Sequence, residues 1–259
     1  MLPALDYHRP AGLGEAVELL ERFGDEALAL AGGTDVVVDL RRGARGQRHL
    51  VSLRDIPELR GIRVEGDTLH IGAMTTAAEL GASPEVAAQR PELLEAVRVF
   101  AGPQIRNMAT VGGNLCTAAS CADLAPMLIA LSARVRTTGR ELPLEDLFRD
   151  VRATVLKPGE ILIDVAVPVR RPGEGAAYEA FGQRAASFIT VVGVAAFVRG
   201  DTNRIVLGAV APTPVLLKNA GVEEARAAAA PISDVRGSAE HRRDLVEVLT
   251  RRALERARS

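Results

Sequence analysis

ALALAGGTDVVVDLRRG, residues 27–43, is the stretch whose reading decides the fold. An apolar run, Ala27 to Leu30, meets Gly32 and Gly33, passes through Thr34-Asp35 and resumes with Val36, Val37, Val38 and Leu40. The pattern predicts a strand, a tight glycine turn and then a helix or strand. Such a glycine pair lets successive backbone amides approach and cradle an anion such as a diphosphate, with Thr34 and Asp35 as side-chain partners. ATVGGNLCTAASCADLAP, residues 109–126, repeats the device with Thr110, Gly112, Gly113 and Asn114, followed by the carboxylate of Asp123. Either pair alone reads equally well as a turn that needs positive φ. Together they suggest two turns closing on one diphosphate.

Outward from these loops the pattern is mixed. GLGEAVELLERFG predicts an opening helix that stops near Phe23 at Gly24, and HLVSL and TLHIGAM read as short strands. PEVAAQRPELLEAVRVF reads as one helix up to the break at Gly102-Pro103, and DLAPMLIALSARVRTT as helix then strand. RRPGEG, residues 170–175, has the composition of a linker. Beyond it, AAYEAFGQR and SFITVVGVAAFVRG look like paired strand and helix material, and RIVLGAVAP like a further strand. EEARAAAAP looks like a mobile loop or helix cap, and SAEHRRDLVEVLTRRALERA predicts a closing amphipathic helix.

Composition narrows the function. The 259 residues are 47% hydrophobic and 25% charged, proportions of a folded chain long enough for two packed units. A net charge of -1 provides no bulk field for nucleic acid or an anionic membrane. The longest apolar run, FITVVGVAAFV, is shorter than the ~20 residues of a membrane span, and MLPALDYHRP has no signal core, so the expectation is a cytoplasmic protein without a span. Cys116 and Cys121 are the only cysteines and four scattered histidines form no HExxH, so no metal or iron–sulfur cluster is expected on this chain. GxxxxGK[ST], GxSxG and GxGxxG are all absent.

AGGTDVVVDLRRG, IGAMTT and GPQIRNMATVGGNLCTAASCADLAP, in that order, resemble the FAD-binding flavoprotein subunit of the molybdenum hydroxylases, the xanthine dehydrogenase and carbon monoxide dehydrogenase group. KPGEILIDVAVP, AFGQRAASFITVVGVAAF and DVRGSAEHRRDLVEVLTRRAL continue the likeness, and Gln104-Ile105-Arg106-Asn107 to Asn114 is its most specific part. The resemblance implies an α+β fold. A PCMH-type, vanillyl-alcohol-oxidase-like FAD-binding domain would span 1–169, with subdomains at about 1–54 and 55–169, before a smaller C-terminal α+β domain with an antiparallel sheet and helices at 174–259. It implies non-covalent FAD and no substrate-hydroxylating or catalytic residue on this chain. The partners would be a large molybdopterin subunit and a small [2Fe-2S] subunit, in a dimer of heterotrimers. Electrons would leave to NAD, a quinone or dioxygen.

By the same resemblance the first loop, Ala31, Gly32, Gly33, Thr34, Asp35 and Val36, wraps the FAD diphosphate with backbone amides. The second, Thr110, Gly112, Gly113 and Asn114, faces it from the other side. Asp123 matches a carboxylate that holds the adenosine ribose, Phe100 an aromatic position near the cofactor, and Leu162 one near the adenine. Arg184 and Phe188, with Ser187 between them, fall near the isoalloxazine ring; Thr75 and Thr117 complete the implied set. Some positions depart from the family. Ala180 stands where many relatives have lysine, Ser187 where others have aspartate, and Ala119-Ser120 replace serine-proline ahead of Asp123.

Overall fold

The structure is a computed structural model that describes residues 4–184 and 189–259. Its first layer is β1 (Asp6–His8), α1 (Leu13–Phe23), β2 (Ala27–Leu30), α2 (Val36–Arg41) and β3 (His49–Ser52). The three strands make a parallel sheet in the order β1-β3-β2. Helix α1 buries Ala16 and Leu20 and ends at Gly24, whose φ of 49° suits glycine. The helix, the glycine turn and the strands on either side of it are where the sequence pattern puts them, and the choice left open after Thr34-Asp35 resolves as helix.

The second unit contains β4 (Ile62–Glu65), β5 (Thr68–Gly72), α3 (Ala77–Ala82), α4 (Pro84–Gln89), α5 (Leu93–Val99), α6 (Pro103–Arg106), α7 (Val111–Thr117) and α8 (Leu124–Ala130). It continues with β6 (Arg134–Thr137), β7 (Glu141–Pro143), β8 (Phe148–Asp150), β9 (Ala153–Thr154) and β10 (Leu162–Pro168). Five of these strands form an antiparallel sheet in the order β4-β5-β10-β6-β7. The single helix expected over 84–100 is two. Pro91 follows Arg90 and bars a continuous α-helix through that pair, so α4 stops and α5 starts afresh.

The third unit is β11 (Glu174–Phe181), β12 (Val192–Arg199), β13 (Thr202–Gly208), β14 (Val215–Lys218), α9 (Val222–Ala228) and α10 (Ala239–Arg258). Its strands pair antiparallel in chain order. Where a mixture of strand and helix is expected, the described residues of 177–199 contain two strands, and EEARAAAAP contributes to a helix, α9. One face of this sheet packs on α10, so closely that a Cβ on Gly175 would lie 1.9 Å from the Ala257 carbonyl oxygen. The other face packs on α8, where Tyr178, Ala195, Phe197 and Val206 join the core built around Leu69, Leu124 and Val165. Every residue of α8 is buried. No helix among the described residues is long and apolar enough to cross a membrane.

RRPGEG is fastened rather than free. Arg90, 2% exposed, donates Nε to the Pro168 carbonyl at 2.5 Å, and Nη2 to the Val169 carbonyl and Glu174 Oε2, each at 3.0 Å. Glu174 Oε2 also accepts the Arg171 amide at 3.1 Å, and Arg170 donates to the Glu174 carbonyl. A buried cation therefore threads from the middle unit into the start of the last one. Removing one partner of such a pair strands the other charge away from water, so Arg90→Met should lower the unfolding free energy by about 3 to 5 kcal/mol. The Arg90→Met/Glu174→Met double variant should lose less, and urea unfolding of both checks the order.

Candidate functional site

The two glycine loops meet. A Cβ built on Gly32 would fall 1.9 Å from the Met108 carbonyl oxygen and 3.1 Å from the Ala109 Cα, and one on Gly112 would fall 2.7 Å from the Ala73 Cβ. At both glycines the close neighbours belong to the protein itself, so their lack of a Cβ is required by packing of the chain on the chain. Gly33, with φ of 74°, is the residue that turns the chain toward α2.

Between the loops lies a cleft of about 1060 Å³ including its open mouth. Ala31 to Val36, Phe100, Thr110, Gly112, Gly113, Asn114, Thr117 and Leu162 all line it. The cleft has the size and mixed lining of a site for a large organic ligand. Sequence reasoning missed Arg45, Glu160, Met74 and Cys116, which line it too. Arg45 and Glu160 are ion-paired to Asp39 and Arg140, so each enters the wall with its charge already matched. Glu160 stands two positions before Leu162 in the chain, the one signal that could have found it. Burial pushes the Cys116 thiol up to about 12, which keeps it protonated and unreactive.

The loops differ in what they offer. Among the described residues, no hydrogen bond takes the amide hydrogens of Gly32, Gly33, Thr34, Asp35 or Val36, and the first acceptor-bound amide after them is Val37, on the Gly33 carbonyl at 3.1 Å. The second loop is the first turn of α7, and its amides are used inside the protein. Val111 donates to the Thr75 carbonyl, Gly112 to the Ala73 carbonyl, Asn114 to the Thr110 carbonyl and Gly113 to the Thr110 hydroxyl. The expected clamp of amides from both sides is therefore one-sided, because α7 must tie its own N-terminus to the end of β5. Asn114 lines the cleft, and its buried Oδ1 has no hydrogen-bond partner. The row of unbonded donors on the first loop fits a diphosphate-bearing cofactor.

Three of the sequence-derived residues do not line the cleft. The Thr75 hydroxyl donates to the Gly61 carbonyl at 3.3 Å, beside a separate hollow with Arg60 and Glu79. Arg184 is exposed in the turn after β11. Phe188 and Ser187 lie outside the described residues. Asp123 stands just before α8, 6% exposed, where its Oδ1 accepts the Thr190 hydroxyl at 2.5 Å and the Tyr178 hydroxyl at 3.3 Å. Among the described residues no cluster of His, Cys, Asp or Glu is placed to hold a metal.

Burial pushes the Asp123 carboxyl up to about 6, with the two hydroxyl bonds opposing the shift. The fold therefore binds a proton here more tightly than the unfolded chain does. Its contribution to stability is complete below the unfolded value of about 4 and is lost as the pH rises through about 6, a change of roughly 3 kcal/mol. Asp123→Asn keeps an acceptor for both hydroxyls without the charge. Its unfolding free energy, followed by urea titration from pH 4 to 7.5, should lack this decline.

Comparison with known proteins agrees with the cleft. Residues 3–170 match the family described as the FAD binding domain in molybdopterin dehydrogenase. The chain is 35% identical to the carbon monoxide dehydrogenase medium chain of Afipia carboxidovorans, over 100% of this chain and 99% of that one. It is 32% identical to the putative xanthine dehydrogenase FAD-binding subunit of Escherichia coli K12, over 99% and 97%. Among solved structures, reconstituted CO dehydrogenase from Oligotropha carboxidovorans superposes with a TM-score of 0.93 at 34% identity, covering 100% of this chain and 99% of that one. Cleft, topology and sequence lead to one assignment: this chain belongs to the family of FAD-binding domains of molybdopterin dehydrogenases.

Proposed function

We propose that the chain holds FAD without a covalent bond in the cleft between the first glycine loop and α7, and serves as the electron-transfer subunit of a molybdenum hydroxylase. In this reading electrons arrive from the [2Fe-2S] clusters of a small partner subunit and leave to NAD, a quinone or dioxygen. A large molybdopterin subunit acts on the substrate, in an assembly of two heterotrimers. The observation that carries the proposal is the row of unbonded amides from Gly32 to Val36. The reading is further supported by relatives named as medium chains or FAD-binding subunits of such enzymes.

FAD, when bound, supplies the redox chemistry. The residues of this chain supply the rest. Five consecutive amides form a positive concavity for two phosphates, and the Thr34 hydroxyl adds a donor. Asn114 Oδ1 accepts a hydrogen bond from the ligand, which removes the cost of an unpaired buried oxygen. Phe100 and Leu162 give the cleft apolar wall that keeps water from the ligand. Thr117 lines the same wall. Asp123 and Arg184 reach the cofactor in this proposal only if its far end extends beyond the cleft toward β11 and the turn after it. Among the described residues the cleft is lined by no histidine or tyrosine and by one cysteine, which is protonated, and this favours a flavin held without a bond to the protein.

The test is the visible spectrum of the purified chain with added FAD, followed by that of the supernatant after acid precipitation. A flavin spectrum that moves wholly into the supernatant is expected. Protein that stays colourless with excess FAD, alone and co-expressed with its partners, overturns the reading. Asn114→Ala should weaken FAD binding by about 1 to 3 kcal/mol, read from quenching of flavin fluorescence, with little change in the melting temperature of the FAD-free protein.

A further inference from the structure

Gln104-Ile105-Arg106-Asn107, the most specific run in the sequence, lines no part of the cofactor cleft. Gln104, Ile105 and Asn107 are exposed on α6, whereas Arg106 is half-buried. Its Nη1 sits among four carbonyl oxygens, those of Val97 at 3.4 Å, Arg98 at 3.4 Å, Phe100 at 3.2 Å and Ala101 at 3.3 Å. Among the described residues no backbone amide reaches any of these four. They are the open C-terminal end of α5, where carbonyls left without partners carry partial negative charge and a cation is favoured. Each contact is long, yet one guanidinium answers all four.

The turn it holds is not built to hold itself. Ala101 has φ of 40°, in the left-handed region that a residue with a Cβ disfavours, where a helix would commonly place glycine. Phe100, the residue before it, is a wall of the cleft. On the other side of Arg106 the chain runs through a single tight turn, with the Ala109 amide on the Ile105 carbonyl at 2.7 Å, and delivers the Met108 carbonyl against Gly32. Arg106 thus stands between the Phe100 wall and the strut that holds the amide row.

Resting on the FAD reading above, we propose that Arg106 is a positioning residue for the cofactor. Without touching the ligand, it fixes the Phe100 wall and the Met108 strut to each other and so sets the width of the cleft. Arg45, the cation that does line the cleft, cannot take over this task, because it is paired with Asp39 on the opposite wall.

The experiment uses the full chain as wild type, Arg106→Leu and Arg106→Lys. Three quantities are read: FAD affinity by fluorescence quenching, visible circular dichroism of the bound flavin, and amide hydrogen exchange without FAD. Arg106→Leu should bind FAD about tenfold more weakly, alter the dichroism, and speed exchange both at 100–109 and at the hydrogen-bonded amides of 37–42, which follow the amide row, while α10 stays protected. Arg106→Lys, which returns a cation to the carbonyl ring, should recover most of the affinity. Equal affinity, dichroism and exchange in Arg106→Leu overturn the positioning role and leave the flavin reading intact. A wild type that binds no FAD either alone or co-expressed with its partners overturns the flavin reading, and faster exchange confined to 100–109 in Arg106→Leu overturns the coupling of the two walls on its own. If Arg106→Leu does not fold, Arg106→Gln carries the same comparison, and wild-type affinity there overturns the proposal.

Discussion

The contact of Gly32 with the Met108 carbonyl is the constraint on which the rest of the site depends. It joins a loop carried by a small parallel sheet to a loop that caps a helix of the neighbouring antiparallel unit. No side chain fits between them, so the approach is set by hard-sphere repulsion between backbones and cannot relax by a rotamer change. Everything on the cleft side follows. Once the two backbones touch, the Gly33 turn leaves the amides of Thr34, Asp35 and Val36 without partners among the described residues, and α7 brings Asn114 to the wall of the same space. The amides of α7 are bound to Ala73 and Thr75 at the end of β5, so this wall is as rigid as the sheet behind it.

Electrostatics inside the protein is organised around the same joint. Arg45 and Glu160 enter the cleft wall matched pairwise, Arg45 with Asp39 and Glu160 with Arg140, and Asp39 also receives Arg152. Asp35, exposed at the cleft, has no ion pair among the described residues. Asp123 is the exception in kind, a buried carboxyl held by two hydroxyls and no cation. It ties the start of α8 to β11 and to the residue ahead of β12.

Much of this was legible in the sequence wherever the signal was local. Glycines next to an apolar run announced the turns, and apolar spacing with Gly24 announced α1 and its end. The collinear motifs announced the family and its cofactor. What was not legible depended on partners distant in the chain. β12 is buried over Val192 to Val198, so it shows no alternation and reads equally well as helix. The break at Pro91 was visible, but its consequence, a buried Arg90 free to reach Glu174, was not. The bonding of the α7 amides depends on carbonyls of β5, and the role of Arg106 on carbonyls of α5, and a carbonyl is present in every residue whatever its type. Phe188 and Ser187 lie outside the described residues, and Asp123 sits deeper than a ribose-binding carboxylate suggested by sequence.

Helix α8 carries a consequence of its own. All seven of its residues are buried between the middle unit and the C-terminal sheet, with a Cβ on Gly208 falling 2.7 Å from the Pro126 Cγ. A helix without an outer face leaves no slip plane, and an interface this apolar resists the hinge motions that are usual between domains. The family match ends at residue 170 while the core continues through Tyr178, Phe197 and Val206, so the matched region shares its core with the residues that follow it. The α7 wall of the cleft belongs to the unit that α8 fastens to the C-terminal sheet, so any widening that admits a bulky ligand falls to the first glycine loop and the small parallel sheet that carries it.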